Sequence, residues 1–101
     1  MSLFSLFRRP DFGALLREAE AAGGLVVDVR TAAEYRQGHV PGSVNIPLDR
    51  IGAAKLDAGR PLYLYCQSGA RSARACAALS RRGYRTADMG GISAYRGTLE
   101  R

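Results

Sequence analysis

The chain has no tryptophan, a single histidine (His39), one lysine (Lys55) and only two cysteines, Cys66 and Cys76. Two cysteines make no disulfide framework. A zinc site needs three or four ligands, and one histidine is a poor start, so neither a metal nor a cofactor is expected. Long apolar runs are also missing. None approaches the roughly 20 residues that span a bilayer, which argues against a membrane partner. Two Leu-Phe pairs, Leu3-Phe4 and Leu6-Phe7, stand near the N-terminus. Ser5 breaks this stretch, and Arg8-Arg9 lie on the wrong side of it for a signal peptide. A reducing cytoplasm, where a free thiolate persists, is the expected compartment.

Acidic residues are in the minority, 9 against 15 basic, for a net charge of +6 in 101 residues. The basic residues are almost all arginine and are scattered along the chain. No basic stripe with interleaved aromatics marks a nucleic-acid surface, so no nucleic acid is expected. The positive field instead favours a small anionic substrate. The length allows one domain with one core.

What is present centres on Cys66-Gln67-Ser68-Gly69-Ala70-Arg71-Ser72, directly after the apolar run Leu62-Tyr63-Leu64-Tyr65. This predicts a strand, a tight loop headed by cysteine, and a helix over Ala70 to Arg82. Such a loop turns successive backbone N–H groups into one concavity, and the helix adds its positive end. A thiol there has its anion stabilised, and Arg71 adds a full charge, so Cys66 is a nucleophile candidate. Ser68 and Ser72 offer hydroxyls to the sulfur or a cap to the helix. Along that helix Ala73, Cys76, Ala77 and Ser80 recur at spacings of three and four, a face of small residues suited to close packing on a sheet. Cys76 accordingly reads as a core thiol.

Elsewhere, Asp11 to Ala22 predicts a helix stopped by Gly23-Gly24, and Leu25 to Val29 a buried parallel strand. Thr31 to Glu34 has capping-box spacing and opens a short helix to Gln37. Ser43 to Ile46 is a brief strand, Leu48 to Leu56 a helix capped by Asp49, and Tyr84 to Ala87 a strand. Gly90-Gly91 then opens a last short helix through Tyr95. The alternation implies an α/β fold, a parallel sheet covered on both faces. Its ligand site lies at the carboxyl ends of the strands, where Asp28 and Cys66 both fall.

The stretches Val27-Asp28-Val29-Arg30, Glu34-Tyr35, Gly38 to Ser43, Asn45-Ile46-Pro47, Tyr65 to Ser72 and Gly90-Gly91 run in one order over residues 10–98. In these the chain resembles the single-domain rhodaneses, the thiosulfate sulfurtransferases. The resemblance implies the rhodanese-like fold over 10–101, a central parallel sheet with helices on both faces, with 1–9 an extension outside the pattern. It implies that Cys66 accepts a sulfane sulfur as a persulfide and passes it to cyanide or a thiol, with Gln67, Ser68, Gly69, Ala70, Arg71 and Ser72 around the substrate. Asp28, Arg30, Glu34 and His39 belong to its other fingerprints and are expected to be structural, Glu34 pairing with Arg30. Tyr95 stands where many members have tryptophan, a difference of packing.

Two other readings share this loop. Related phosphatases place five residues between cysteine and arginine; here four stand between Cys66 and Arg71, a cradle better sized for one sulfur atom than for phosphate. A sulfur-relay module, loaded by a desulfurase for tRNA thiolation or cofactor synthesis, would use the same cysteine. The expected partners are thus a small anionic sulfur donor and a protein donor or acceptor, with the chain a monomer or homodimer.

Overall fold

Asp11 accepts a hydrogen bond from the Ala14 N–H at 3.2 Å and so starts helix α1, Phe12–Ala22. Gly23 closes it in the left-handed conformation at φ +66°. The structure is a computed structural model and describes residues 11–101. The expectations placed on residues 1–9, including the two Leu-Phe pairs, lie outside the described residues.

Strand β1 (Leu25–Asp28) pairs in parallel with β3 (Leu62–Cys66), from Leu25 opposite Leu62 to Asp28 opposite Tyr65. The short strand β2 (Val44–Asn45) flanks β1, and β4 (Thr86–Gly91) flanks β3, giving the all-parallel order β2-β1-β3-β4. The two-residue period of the strands sorts the core into two layers. Val26, Tyr63 and Tyr65 join Phe12, Ala19 and Met89 on the α1 side. Val27, Leu62, Leu64 and Cys66 join Ile51, Ala75 and Leu79 on the other, beneath α3 (Ala70–Arg81) and a 3-10 segment, Leu48–Ala53. Both faces are therefore covered, as the alternation of elements predicts. Helix α2 (Ala32–Gln37) opens on the capping box that its spacing announces, with Thr31 and Glu34 capping each other. Among the described residues no helix is long and apolar enough to cross a membrane.

Four expectations need correction. The buried face of α3 is Ser72, Ala75 and Leu79, while Ala73, Ala77 and Ser80 are exposed and Cys76 is half-buried at the edge of the core. Leu79 is the one large apolar side chain of this helix; burying it carries the residues three, four and seven positions back toward the sheet. The element after Pro47 is a 3-10 segment, and Asp49 lies within its first turn rather than capping it. The other end is closed by Arg82, whose guanidinium donates to the Ile51 and Ala54 carbonyls at 2.8 and 2.6 Å. Strand β4 starts at Thr86, two residues later than expected, and continues to Gly91. Its register slips between Leu64 and Tyr65, so that Leu64 faces Asp88, Tyr65 faces Gly90 and Met89 is the extra, buried residue of a bulge. Gly90-Gly91 are thus the end of a strand, and only Ile92–Ala94 turn as a short 3-10 segment. Tyr95 packs on Phe12 at 5.8 Å between ring centroids.

Candidate active site around Cys66

Cys66 is the last residue of β3 and is 1% exposed. The next three residues form a tight loop, and Gly69, at φ +110°, turns the chain into α3. That turn aims the Gly69 N–H at the Cys66 Sγ, 2.9 Å away. The Ser72 hydroxyl lies 3.6 Å from the same sulfur. Burial pushes the Cys66 thiol up, but hydrogen bonds from the Ser72 hydroxyl and from the N–H groups of Ser72, Gly69 and Ser68 outweigh it, and the thiol is held below its ordinary value. The concavity of donors read from the sequence is therefore formed.

Gly91 lets the loop lie this close to the sheet. A Cβ there would collide with the Gln67 carbonyl oxygen and stand 2.8 Å from the Ser68 Cα. The pairing of Gly91 with Cys66 across the β3–β4 ladder is a direct consequence of the bulge at Met89.

Ser72 does not act alone. Its hydroxyl lies 2.7 Å from Asp88 Oδ1, and that same carboxylate oxygen accepts the Gly90 N–H at 2.9 Å. The hydroxyl also lies 3.1 Å from the Gly69 carbonyl and 3.5 Å from that of Gly90, so an ionised Cys66 competes for its single proton with these and, at the shortest distance, with the carboxylate. With the proton on the Asp88 side, the Ser72 oxygen presents a lone pair to the Cys66 S–H; once the sulfur is an anion, rotation turns the donor to it. Asp88 was missed in the sequence because the strand was expected to end at Ala87. The rule that sites gather at the carboxyl ends of parallel strands would have found it had the strand been carried to Gly91.

Arg71 stands in the first turn of α3, close enough to feel the charge of Cys66. Its two terminal nitrogens donate to the two carboxylate oxygens of Glu34 at 2.6 and 3.0 Å, a bidentate pair. This hydrogen bond is the main cause that holds the Glu34 carboxyl down at about 2. The expected Glu34–Arg30 pair is therefore not formed. Arg30 is taken by Asp28, two residues before it, with Nε 3.0 and 3.1 Å and Nη2 2.7 Å from the carboxylate oxygens. Both are buried, and the remaining guanidinium donors reach the Gly38 carbonyl at 2.7 Å and the Gln67 side-chain oxygen at 3.3 Å. One fork thereby fixes the end of β1, the Gly38 turn and the first loop residue after Cys66. A buried pair of this kind secures geometry more than stability.

His39 stacks on Tyr35 at 3.6 Å with rings 7° from parallel, its Nδ1 2.9 Å from the Tyr35 carbonyl and its Nε2 3.9 Å from Glu100. It binds the C-terminal segment, where the His39 and Glu100 backbones pair, and none of its hydrogen bonds reaches the cysteine loop. Cys76 is also a free thiol, but burial pushes it up to about 11. At neutral pH it is protonated and a poor nucleophile, which agrees with its reading as a packing residue. The structure thus gathers Cys66, Gly69, Arg71 and Ser72 with Glu34 and Asp88 at one sheet end, and leaves His39 and Cys76 outside.

The chain matches the model of the rhodanese-like domain over residues 11–98. It is 40% identical over 83 residues to a sulfurtransferase of Allochromatium vinosum, covering 78% of each chain. It is 40% identical over 62 residues to the thiosulfate sulfurtransferase PspE of Escherichia coli K12, covering 57% of this chain and 60% of that one. Among solved structures, a rhodanese-related protein from Thermoplasma volcanium superposes with a TM-score of 0.75 at 32% identity, covering 87% and 90% of the two chains. The parallel sheet with its cysteine loop and these likenesses agree, and the chain belongs to the rhodanese-like domain family, with a role in sulfur transfer.

Proposed function

We propose that the chain is a thiosulfate sulfurtransferase working through a persulfide on Cys66. The Cys66 thiolate attacks the outer sulfur of thiosulfate. A sulfur–sulfur bond forms to Cys66, the bond to the sulfonate sulfur breaks, and its electron pair leaves with sulfite. An acceptor, cyanide or a thiolate, then attacks the outer persulfide sulfur and restores the Cys66 thiolate, so the cycle is ping-pong. Negative charge stays on sulfur throughout, and preset N–H donors stabilise it without reorganising. The observation that carries the reading is the buried Cys66 sulfur 2.9 Å from the Gly69 N–H, with its thiol held below the ordinary value. Gln67, Ser68, Gly69, Ala70 and Ser72 form the substrate seat, and Arg71 at its mouth receives the sulfonate. Asp28, Arg30, Glu34 and His39 support the framework.

Incubation with thiosulfate, followed by mass spectrometry of the intact chain, tests this. One added sulfur, about 32 Da, is expected on Cys66. It should be lost with cyanide, which appears as thiocyanate. Cys66→Ser should take up no sulfur, while Cys76→Ser should keep most of the turnover. A Cys66→Ser protein that still turns over thiosulfate would refute the assignment. A Cys66 persulfide formed readily by a desulfurase but not by thiosulfate would instead make the chain a relay module, with the same cysteine in the same role.

A further inference from the structure

Helix α3 leaves the cysteine loop along one wall of an open groove of about 690 Å³. Arg71, Arg74 and Arg81 line that wall, and Leu48, Ala77 and Ala78 supply apolar floor between α3 and the 3-10 segment. The alanines are what leave the groove open, since longer side chains at those positions would fill it. The lining holds a single carboxylate, Asp49, against the three guanidinium groups. Arg71 is held by Glu34, but Arg74 and Arg81 are exposed and their side chains make no hydrogen bond or ion pair among the described residues. From Arg71 to Arg81 the helix rises about 15 Å, the length of four or five extended residues. Arg71 lines the groove and is also close enough to Cys66 to feel its charge, so the groove opens beside the cysteine loop.

We propose that this groove seats an acidic, cysteine-bearing segment of a partner protein and presents its thiol to Cys66. The proposal rests on the Cys66 persulfide argued above. The charge of the groove selects acidic residues, the apolar floor takes interspersed aliphatic side chains, and the absence of an aromatic platform disfavours stacked bases. The partner thiolate attacks the outer sulfur of the Cys66 persulfide. The Cys66–sulfur bond breaks, Cys66 departs as its thiolate, and the partner cysteine carries the persulfide, with no external oxidant or reductant.

The test uses a synthetic peptide in which a cysteine is followed by alternating glutamate and leucine, beside its glutamine counterpart. Sulfur transfer from thiosulfate-loaded protein should be about tenfold faster to the acidic peptide at low salt, and the advantage should vanish at high salt. The R74E/R81E and R74Q/R81Q variants should lose the advantage and keep thiosulfate–cyanide turnover. Equal rates for the two peptides, or an advantage that survives both variants, would overturn the proposal. Binding of fluorescein-labelled peptide to unloaded protein, read by anisotropy, requires no persulfide and separates failure of the groove from failure of the sulfur chemistry. A single-stranded oligonucleotide binding more tightly than the acidic peptide would also overturn it, in favour of a nucleic-acid surface.

Discussion

Glu34 and the proposed substrate compete for one guanidinium, and Glu34→Gln isolates that competition. The Glu34 carboxyl lies at about 2 against an ordinary 4.5, chiefly through its hydrogen bond to Arg71. Sealed from water, such a displacement would correspond to about 3 kcal/mol. The two side chains are 31% and 34% exposed, so screening reduces the contribution of the pair to about 1 kcal/mol. Glu34→Gln should therefore lower Tm by about 4–8 °C in a domain of this size. Because the carboxyl is depressed in the folded chain, its contribution is complete above pH 4.5 and is lost as the pH falls toward about 2. The acid-unfolding curve of the variant should accordingly converge with that of the parent at the low end. The effect on thiosulfate has the opposite sense. Removal of the competing charge frees Arg71 for the sulfonate, and KM should fall about fivefold, the equivalent of about 1 kcal/mol. Arg71→Ala removes the proposed receptor itself, a charge-assisted contact of ~1.5–3 kcal/mol, and should lower kcat/KM for thiosulfate roughly ten- to a hundredfold. Transfer from a protein persulfide, which has no sulfonate, should suffer much less. Initial-rate kinetics with both donors decide the matter. A KM that rises in Glu34→Gln would show that Glu34 aims Arg71 rather than competing for it. Equal losses with both donors in Arg71→Ala would show that Arg71 shapes the loop.

Alkylation of Cys66 by iodoacetamide should show a midpoint below the ~8.5 of a free thiol, since loop N–H groups and Ser72 favour the anion over burial; a midpoint at or above the free-thiol value would contradict the donor geometry. Asp88→Asn removes a negative charge and weakens the nearest acceptor of the Ser72 proton, so the same pH profile should move further down, whereas an upward move would mean that Asp88 serves only to hold Ser72 in place. Gly91→Ala should cost about 1–3 kcal/mol in chemical denaturation and most of the sulfur uptake, because its Cβ displaces the Gln67–Ser68 backbone; an active variant of parental stability would show that the loop yields freely.

The elements legible in the chain were those whose causes are local. The Asp11 cap, the Thr31–Glu34 capping box, the buried run Leu62 to Cys66 and the glycine that turns the loop into α3 depend on neighbours within a few residues. With them came the parallel sheet, its two covered faces and the placing of Cys66 at a strand end beneath N–H donors. What local pattern could not decide were the choices made between distant segments. Arg30 and Arg71 are chemically equal claimants to a carboxylate, and Asp28 takes the first only because β1 ends beside the Gly38 turn, leaving Glu34 for a partner 37 residues away. The face of α3 was set by where one leucine finds the core, although its small residues offered another face at the same spacing. The bulge at Met89, which slides Gly91 opposite Cys66 and brings Asp88 to Ser72, exists only in the pairing of β3 with β4. A strand carries no record in its own sequence of the register its neighbour imposes, so this half of the surroundings of Cys66 is the work of the folded sheet.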